Sequence, residues 1–460
     1  MVTLFDYQVN AIKSWMDAKS MGIFEMATGT GKTYTALGCV YEVYKQYNDL
    51  VVIISVPYQH LCDQWKASYE SFFGRSTPIV IANSSHTGWK SLLWKELNKS
   101  EKLVAITTHN TLVSNDFASI LGEYKEKKSY MLIGDEVHHL GSQQRRKALS
   151  ELFDFRLGLS ATPSRWMDED GTGFIQQFFG KVVFEFDIKQ ALTTTNELTG
   201  FPYLTPYSYL PSFIHLLPDE YDEYVEITTK LVQYINRNEK DELDLTDSKL
   251  NLLLFKRANI VKNAFDKYRV LSTMLDELRA RDELHHTIIY CSPQQIDVVG
   301  KMLYDRKIKC NRFTMNEGTK AEERFNHLSE RDHILKSFTE GRYQVLLAMK
   351  CLDEGVDIPS AKTGILMSSC GNPREYIQRI GRMIRYYPQK NRSKIYDIVI
   401  KPTFQWLSLD VLHYEKRIFL NELKRYESIG MNAINAVDVM ELVAKERSLA
   451  MEVCNEQSIN

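Results

Sequence analysis

The stretch "EMATGTGKTYTAL" (Glu25–Leu37) determines how the rest of the chain is interpreted. A short apolar run, "GIFEM", precedes it, and an apolar pattern of helical period follows it. Gly29 and Gly31 allow backbone N–H groups to turn toward an anion without a Cβ in the way. Because a strand, a Gly-Lys-Thr turn and a helix occur in this order, the sequence predicts a nucleotide phosphate-binding loop.

This loop supplies the first predicted ligands for ATP and Mg²⁺. We expect the Lys32 ammonium to reach the β- and γ-phosphates and the Thr33 hydroxyl to bind Mg²⁺. The general phosphate-loop pattern begins with one more glycine, at a position where this chain has Met26. The remaining residues expected to contact the nucleotide here are Thr28, Gly29, Thr30 and Gly31.

A second polar element, "YMLIGDEVHHL" (Tyr130–Leu140), follows another apolar run. Asp135, at the end of the predicted strand, is suited to holding Mg²⁺ through water, and Glu136 to activating the attacking water. His138 and His139 are adjacent, and on an extended segment adjacent side chains point to opposite sides. With no third ligand evident, zinc is not expected.

The bulk composition leaves many functions open. The chain has 460 residues, 44% hydrophobic residues and a net charge of −2, which indicates a globular protein of about two domains without an overall basic field. The seven cysteines form no C-x-x-C pair, which favours a cytoplasmic protein without disulfides. The sequence shows no signal peptide and no apolar run long enough to span a membrane.

Short apolar runs alternate with helical patterns in two regions of the chain. Six runs before residue 165 and five runs after residue 285 are typical of strands, and residues 207–285 between them are mostly helical in pattern. This alternation predicts an α/β fold with parallel sheets. Beyond residue 401, the apolar residues Leu409, Leu412, Ile418, Phe419 and Leu423 predict a helix that packs on the second region.

Five motifs in order resemble those of superfamily 2 helicases and translocases. They are "MATGTGKT" (Met26–Thr33), "DEVH" (Asp135–His138), "LSATP" (Leu159–Pro163), "LDEGVDIP" (Leu352–Pro359) and "QRIGRMIR" (Gln378–Arg385). Within that superfamily the chain is most similar to the XPB-like and restriction-enzyme motor branch. In this superfamily the first motif often lacks the outermost glycine, which accounts for Met26.

The resemblance implies two tandem RecA-like domains with a helical insert between them and a helical C-terminal extension. The expected boundaries are residues 1–205 for the first domain, 206–265 for the insert, 266–400 for the second domain and 401–460 for the extension.

The resemblance also assigns roles to residues outside the loop. "LFDYQ" (Leu4–Gln8) is similar to a motif that reads adenine, with Gln8 as the reading residue. Asp357 is expected near the ribose and the hinge between the domains, and Gly355 is expected to permit a tight turn beside it; both belong to the expected nucleotide site. Arg382 and Arg385 are expected to be arginine fingers that reach the γ-phosphate, and Gln378, in the same motif, is a further catalytic candidate.

Several hydroxyl-rich segments resemble motifs that grip a nucleic-acid backbone or couple hydrolysis to that grip. Hydroxyls, turns and helix N-termini suit contacts with phosphates rather than bases. The same residue types also cap turns and helices, so a purely local role remains an alternative. The residues concerned are Ser55, Pro57, Thr107, Thr108, Ser160, Thr162 and Ser292.

These features predict an ATP-dependent nucleic-acid motor, with DNA favoured over RNA as its track. Two alternatives remain open: an ATP-gated nucleic-acid sensor or clamp that recruits a partner, and an RNA helicase. The similarity to restriction-type motors further suggests a protein partner that supplies nuclease or another activity, in genome defence or repair.

Overall fold

The computed structural model describes residues 3–165, 168–238, 247–314, 317–318, 321–349, 358–368 and 373–457. The chain divides into two compact units, Met1–Tyr203 and Leu204–Asn460. Each unit contains one parallel sheet flanked by helices, as expected for tandem RecA-like domains.

Seven strands form the sheet of the first unit, in the order β3-β4-β2-β5-β6-β1-β7, and all described pairs are parallel. All six predicted strands are confirmed, and the structure adds a seventh, "VVFEF", an edge strand in which only Phe186 is buried. The strands are β1 Met21–Met26, β2 Leu50–Val56, β3 Ile79–Ala82, β4 Leu103–Thr108, β5 Ser129–Asp135, β6 Phe155–Ser160 and β7 Val182–Phe186.

The helices of the first unit cover this sheet. Every residue of β2 and β4 is buried, as expected where helices cover both faces of a parallel sheet. Two 3₁₀ helices, Val137–Gly141 and Arg145–Ala148, lie between β5 and β6. The α-helices are α1 Asp6–Asp17, α2 Lys32–Tyr44, α3 Gln59–Phe73, α4 Trp89–Lys99, α5 His109–Leu112, α6 Asn115–Gly122, α7 Glu169–Phe179 and α8 Ile188–Thr193.

Six parallel strands form the main sheet of the second unit, in the order β10-β13-β9-β14-β15-β8. A two-stranded antiparallel ribbon joins β11 Ala321–Glu322 to β12 Leu328–Ser329. The main strands are β8 Tyr207–Ile214, β9 Thr287–Tyr290, β10 Cys310–Phe313, β13 Val345–Ala348, β14 Thr363–Leu366 and β15 Ser393–Ile400.

The prediction that the segment from residue 206 onward is helical is wrong for its first residues, because Tyr207–Ile214 form strand β8. It pairs with β15 over eight residues, from Tyr207 opposite Ser393 to Ile214 opposite Ile400. As an edge strand it tolerates Pro211, and most of its residues are only half-buried. A proline and a weak apolar pattern directly before a long helix concealed this strand in the sequence.

The remaining elements of the second unit are helical. The stretch predicted to be helical around residue 264 is divided, because Ala264 adopts an extended ψ of 132° between two helices. A 3₁₀ helix covers Glu323–Phe325. The α-helices are α9 Pro218–Asn238, α10 Ser248–Asn263, α11 Asp266–Ala280, α12 Ile296–Asp305, α13 Glu330–Thr339, α14 Pro373–Met383, α15 Leu409–Gly430 and α16 Ala436–Gln457.

Helices α9 and α10, from the predicted insert, pack directly against α15, from the predicted C-terminal extension. Their shared apolar cluster contains Leu231, Leu250 and Val411. The prediction that α15 packs on this unit is confirmed for Leu412, Phe419 and Leu423, which are buried, whereas Leu409 is 60% exposed. The insert and the extension therefore share a packed helical layer.

A buried ion pair lies in this layer. Arg257 Nη2 donates to Glu415 Oε1 at 2.7 Å, and the Tyr224 hydroxyl donates to Glu415 Oε2 at 2.8 Å. Glu415 is 3% exposed. Because a buried carboxylate without its cation is costly, α10 and α15 depend on each other.

Among the helices in the described ranges, none combines the length and the apolar character that crossing a membrane requires.

The buried pair gives a stability prediction. Arg257→Met should lower the free energy of unfolding of the second unit by about 3–5 kcal/mol, because Glu415 stays buried without its cation. Adding Glu415→Leu should recover most of that loss. Thermal melting followed by circular dichroism measures both effects.

Arg281 provides the matched control, since it makes an exposed pair with Glu277 at 3.7 Å. Arg281→Met should change stability by no more than about 1 kcal/mol. Equal melting temperatures for the Arg257 and Arg281 variants would contradict the assigned importance of the buried pair.

Candidate active site

The phosphate loop connects β1 to α2, and two glycines allow its path. Gly29 has a φ of 91° and Gly31 a φ of 81°, a conformation that L-residues with a Cβ rarely adopt. A Cβ on Gly31 would also lie only 2.7 Å from Gln8 Nε2. The loop therefore needs glycine at both positions, and α2 begins directly after it at Lys32.

Side chains of the loop fold back onto its own backbone. Thr30 Oγ1 donates to the Ala27 carbonyl at 2.7 Å, and Lys32 Nζ donates to the Met26 carbonyl at 3.0 Å. Thr28 Oγ1 is buried and, among the described residues, has no hydrogen-bond partner. An unsatisfied hydroxyl and a lysine ammonium beside a helix N-terminus fit a phosphate group, so this loop suits the predicted nucleotide.

Gln8 supports the loop from α1. Its Nε2 donates to the Gly31 carbonyl at 3.2 Å, and its Oε1 accepts from the Phe5 N–H at 3.0 Å. The Tyr7 hydroxyl donates to the Thr30 carbonyl. Gln8 is 3% exposed, so its amide holds the loop in position here, and adenine reading by Gln8 stays a prediction.

An aromatic cluster beside α1 was not identified from the sequence. Tyr7 stacks on Phe186 with ring centroids 4.2 Å apart, and Tyr203 meets both rings edge-on. Phe5 meets Tyr203 at 5.0 Å. These rings come from three distant segments, and they fix α1, and with it Gln8, against the end of β7.

Asp135 ends β5 and is held by two donors. Trp65 Nε1 donates to its Oδ2 at 2.8 Å, and the Glu136 N–H donates to its Oδ1 at 3.0 Å. Burial and the neighbouring Glu136 charge raise the pKa of Asp135 to about 6, against the opposing effects of Trp65 and Lys32. Trp65 is thus a site residue that sequence reasoning missed, since its partner lies 70 residues away.

Glu136 has a backbone conformation that is unusual for its type. Its φ of 45° and ψ of 54° lie in the left-handed region, at a cost of about 1–2 kcal/mol. This turn brings Glu136 Oε2 to 3.4 Å from both Ser160 Oγ and His138 Nδ1. Ser160 Oγ lies 3.2 Å from the same imidazole nitrogen and accepts from the Thr162 N–H. The candidate base is therefore held by two different segments.

His138 and His139 do not lie on an extended segment, which corrects the expectation that they point to opposite sides. They belong to a 3₁₀ helix, and their ring centroids are 4.2 Å apart. In the parts of the chain that the structure describes, no group of three or more His, Cys, Asp and Glu residues is placed to hold a metal ion. Magnesium would instead take Thr33 and Asp135 together with phosphate oxygens and water.

The hydroxyls expected at a nucleic-acid backbone lie mostly inside the first unit. Ser55 Oγ bonds His109 Nδ1 at 2.7 Å, and burial lowers the pKa of His109 well below its usual range. Thr107 Oγ1 donates to the Ala82 carbonyl, and Thr108 caps α5. Ser55 and Thr107 are fully buried, so in this structure they position the strand ends. Direct phosphate contacts through them stay predictions, as they do for the half-buried Pro57.

Ser292 has a comparable local role in the second unit. Its Oγ bonds Asn263 and accepts from the Gln295 N–H at 3.1 Å, which closes the turn after β9. The side chain is 2% exposed.

Helix α14 carries one of the two predicted arginine fingers, Arg382. Gln378 is 3% and Arg382 8% exposed within the second unit, and Arg385 follows the helix. The helix is anchored through Tyr376, whose hydroxyl bonds the buried Asp397, and the Arg425 guanidinium lies 4.9 Å from the centroid of the Tyr376 ring.

Two predicted residues, Gly355 and Asp357, lie outside the described residues. Lys32, Asp135, Glu136 and Ser160 are brought together in the first unit.

The raised pKa of Asp135 gives a pH prediction. In metal-free buffer, Asp135→Asn should stabilise the protein by at most about 2–3 kcal/mol at pH 8, and by less at pH 5. Since folding raises this pKa from 3.8 to about 6, the folded state carries an unfavourable charge above pH 6 that protonation removes as the pH falls.

Thermal melting at both pH values measures this effect. Glu101→Gln, at an exposed carboxylate of the same unit, is the control and should change little at either pH. A stabilisation by Asp135→Asn that does not depend on pH would contradict the assigned charge state.

Comparison with family models identifies both units. Residues 1–165 match the family "Type III restriction enzyme, res subunit", and residues 266–387 match the family "Helicase conserved C-terminal domain". Together the two models cover more than half of the chain.

Similar proteins of known sequence include a DNA translocase and a subunit of a restriction enzyme. The DNA 3′-5′ translocase XPB2 of Sulfurisphaera tokodaii is 27% identical, with 87% of this chain and 82% of the relative aligned. The Type I restriction enzyme EcoAI endonuclease subunit of Escherichia coli is 23% identical, with 82% of this chain but only 44% of the relative aligned.

Among solved structures, the Hef helicase domain of Pyrococcus furiosus matches with a TM-score of 0.54 at 15% identity, over 88% of this chain and 97% of that one. The DNA-bound Type ISP restriction-modification enzyme LlaBIII matches with a TM-score of 0.57 at 16% identity, over 92% of this chain and 30% of that one. These matches support the fold. The two family models and the similarity to XPB2 show that the chain is an ATP-hydrolysing member of the superfamily 2 helicases and translocases, similar to the XPB-like and restriction-enzyme branch.

Proposed function

We propose that this protein is an ATP-dependent motor that moves along DNA, as a double-stranded DNA translocase or a helicase. The observation that carries the proposal is the convergence of Lys32, Asp135, Glu136 and Ser160 at one edge of the first sheet, in a chain that also has a helicase C-terminal domain. The translocase and restriction-subunit names of two relatives favour DNA as the track.

Each residue of this site has a chemical task in the proposal. Lys32 binds the β- and γ-phosphates, and Asp135 and Thr33 hold Mg²⁺, which neutralises phosphate charge when bound. Glu136 accepts a proton from the attacking water, and its turn at β5 aims the carboxylate. Arg382 and Arg385 stabilise the charge that develops on the γ-phosphate.

We further propose that Ser160 couples hydrolysis to the grip on DNA. It contacts the Glu136 carboxylate and the His138 imidazole and accepts from the Thr162 N–H, so a shift of this segment moves the candidate base. The 3.4 Å contact to Glu136 is long, which suits a contact that tightens only during turnover.

Two further proposals concern the setting. The similarity to restriction-enzyme subunits supports a protein partner that supplies another activity, in genome defence or repair. The free thiols of Cys39, Cys62, Cys291 and Cys310 support a cytoplasmic location.

The first test of the function is nucleic-acid-stimulated ATP hydrolysis. Lys32→Ala should lower kcat by at least about 100-fold, because it removes a phosphate-binding charge. Glu136→Gln should lower kcat by about 10²–10⁴-fold while ATP binding persists. Comparing duplex DNA, single-stranded DNA and RNA at fixed salt identifies the track. Hydrolysis that no nucleic acid stimulates would refute the proposal.

Triplex displacement separates a motor from a clamp. The wild-type protein should displace a third strand from duplex DNA with ATP, whereas Glu136→Gln should not. Tight binding of DNA with ATP but without displacement would instead favour a sensor or clamp.

The coupling role of Ser160 predicts a selective defect. Ser160→Ala should reduce the ratio of DNA-stimulated to basal hydrolysis, while the KM for ATP stays within about twofold, because the phosphate contacts remain. Ser337→Ala removes an equally buried hydroxyl in the second unit and should leave the ratio unchanged. Equal ratios for the two variants would exclude this role.

A further inference from the structure

The indole of Trp65 contacts Asp135, the carboxylate that holds Mg²⁺ in the proposed motor. Its Nε1–H donates to Asp135 Oδ2 at 2.8 Å, within the normal range for an N–H···O hydrogen bond. The Trp65 side chain is 2% exposed, so the bond is shielded from water on the indole side. It joins helix α3 to the end of strand β5, across 70 residues of sequence. Asp135 is thus held by a side chain from outside the acidic motif.

Helix α3 presents this indole from a fixed position. Trp65 and Tyr69 lie four residues apart on the buried face of the helix. The Tyr69 hydroxyl bonds the Tyr44 hydroxyl at 3.0 Å, which ties α3 to α2, the helix that begins at Lys32. A buried ring one turn away from such a bond has little room to move. The donor is therefore held in place independently of Asp135.

Two hydrogen bonds fix the plane of the Asp135 carboxylate. Trp65 Nε1 donates to Oδ2, and the Glu136 N–H donates to Oδ1 at 3.0 Å. One bond on each oxygen restrains rotation about the Cβ–Cγ bond. An ionised carboxylate has about four lone-pair sites, so about two remain for Mg²⁺ or for water bound to it. The indole thus orients the carboxylate and leaves ligand positions open.

We propose that Trp65 is a positioning residue for Mg²⁺, because its indole N–H holds the Asp135 carboxylate in the orientation that binds the metal. Side chains that hold a metal ligand in place without touching the metal typically change metal affinity by about 10–100-fold when they are replaced. This inference rests on the proposed function, in which Asp135 and Thr33 hold Mg²⁺ beside the ATP phosphates.

Metal binding by Trp65→Phe tests this inference without relying on hydrolysis, since a phenyl ring keeps an aromatic side chain there but cannot donate. The probe is Mn²⁺, which accepts the same oxygen ligands and whose free concentration is measured by electron paramagnetic resonance. The protein is kept in excess over a non-hydrolysable ATP analogue. Trp65→Phe should raise the Kd for Mn²⁺ by about tenfold or more. The Kd for the analogue without metal should stay within about twofold, because Lys32 still binds the phosphates.

Trp15→Phe is the matched control. Trp15 is also buried in the first unit, and its Nε1 donates to the carbonyl of Arg156 at 3.0 Å, near the start of β6. The control loses the same kind of donor, so its melting temperature should fall about as far as that of Trp65→Phe. Its Kd for Mn²⁺ should stay within about twofold of the wild-type value, because no metal ligand has moved. An equal loss of metal affinity in both variants would overturn the positioning role.

The indole N–H signals of the otherwise unchanged chain give a second measurement, which does not require Trp65→Phe to fold. With ¹⁵N-labelled tryptophan, each of the six tryptophans contributes one signal to the nuclear magnetic resonance spectrum. One signal should move more than the others when Mg²⁺ is added to the complex with the analogue, and the same signal should move on Asp135→Asn, because that N–H donates to Asp135.

Three further results would overturn the assignment. Unchanged affinity of Trp65→Phe for Mn²⁺, while the wild type binds it, makes the bond purely structural, and the proposed function stands. Tighter binding of Mn²⁺ by Trp65→Phe shows that the indole holds Asp135 away from the metal. Indole signals that Asp135→Asn leaves unchanged exclude the contact itself. A wild-type protein that binds no Mn²⁺ with the analogue, and whose hydrolysis no nucleic acid stimulates, would instead refute the proposed function and this inference with it.

Discussion

The adjacency of three strand ends is the constraint on which the rest of the first unit depends. In the order β5-β6-β1, Asp135 pairs opposite Leu159, and Ser160 pairs opposite Glu25. Because parallel strands end at the same edge, residues more than 100 positions apart meet there. The lysine of the loop, the acidic pair and the coupling hydroxyl are therefore placed by the sheet, and a change in strand order would separate them.

Around this edge, buried polar side chains form hydrogen bonds that fix the residues of the site in position. Trp65 donates to Asp135, Gln8 holds the Gly31 carbonyl, and His109 bonds Ser55 at the end of β2. Each bond satisfies a group that would be costly to bury alone. The strained backbone of Glu136 lies between Asp135, which Trp65 holds, and the contacts of its own carboxylate with Ser160 and His138. In the phosphate loop, by contrast, the buried Thr28 Oγ1 has no hydrogen-bond partner among the described residues.

The sequence predicts what is encoded locally. The apolar strands, the Gly-Lys-Thr loop and the acidic pair follow from runs of adjacent residues, and the structure confirms these elements. Strand β8 was missed because Pro211 and half-buried residues weaken its pattern, and its partner β15 lies about 190 residues later. The contact of Trp65 with Asp135 and the left-handed turn at Glu136 depend on tertiary neighbours, so no local pattern reveals them.

The inner face of helix α15 supports α14. This face places Arg425 over the ring of Tyr376, a residue of α14, and beside the buried Asp397, which also accepts from the Tyr209 hydroxyl at 2.8 Å. Burial raises the pKa of Asp397, and the Arg425 guanidinium of α15 opposes that rise. A helix whose inner face supports the arginine-bearing helix is part of the second unit's core.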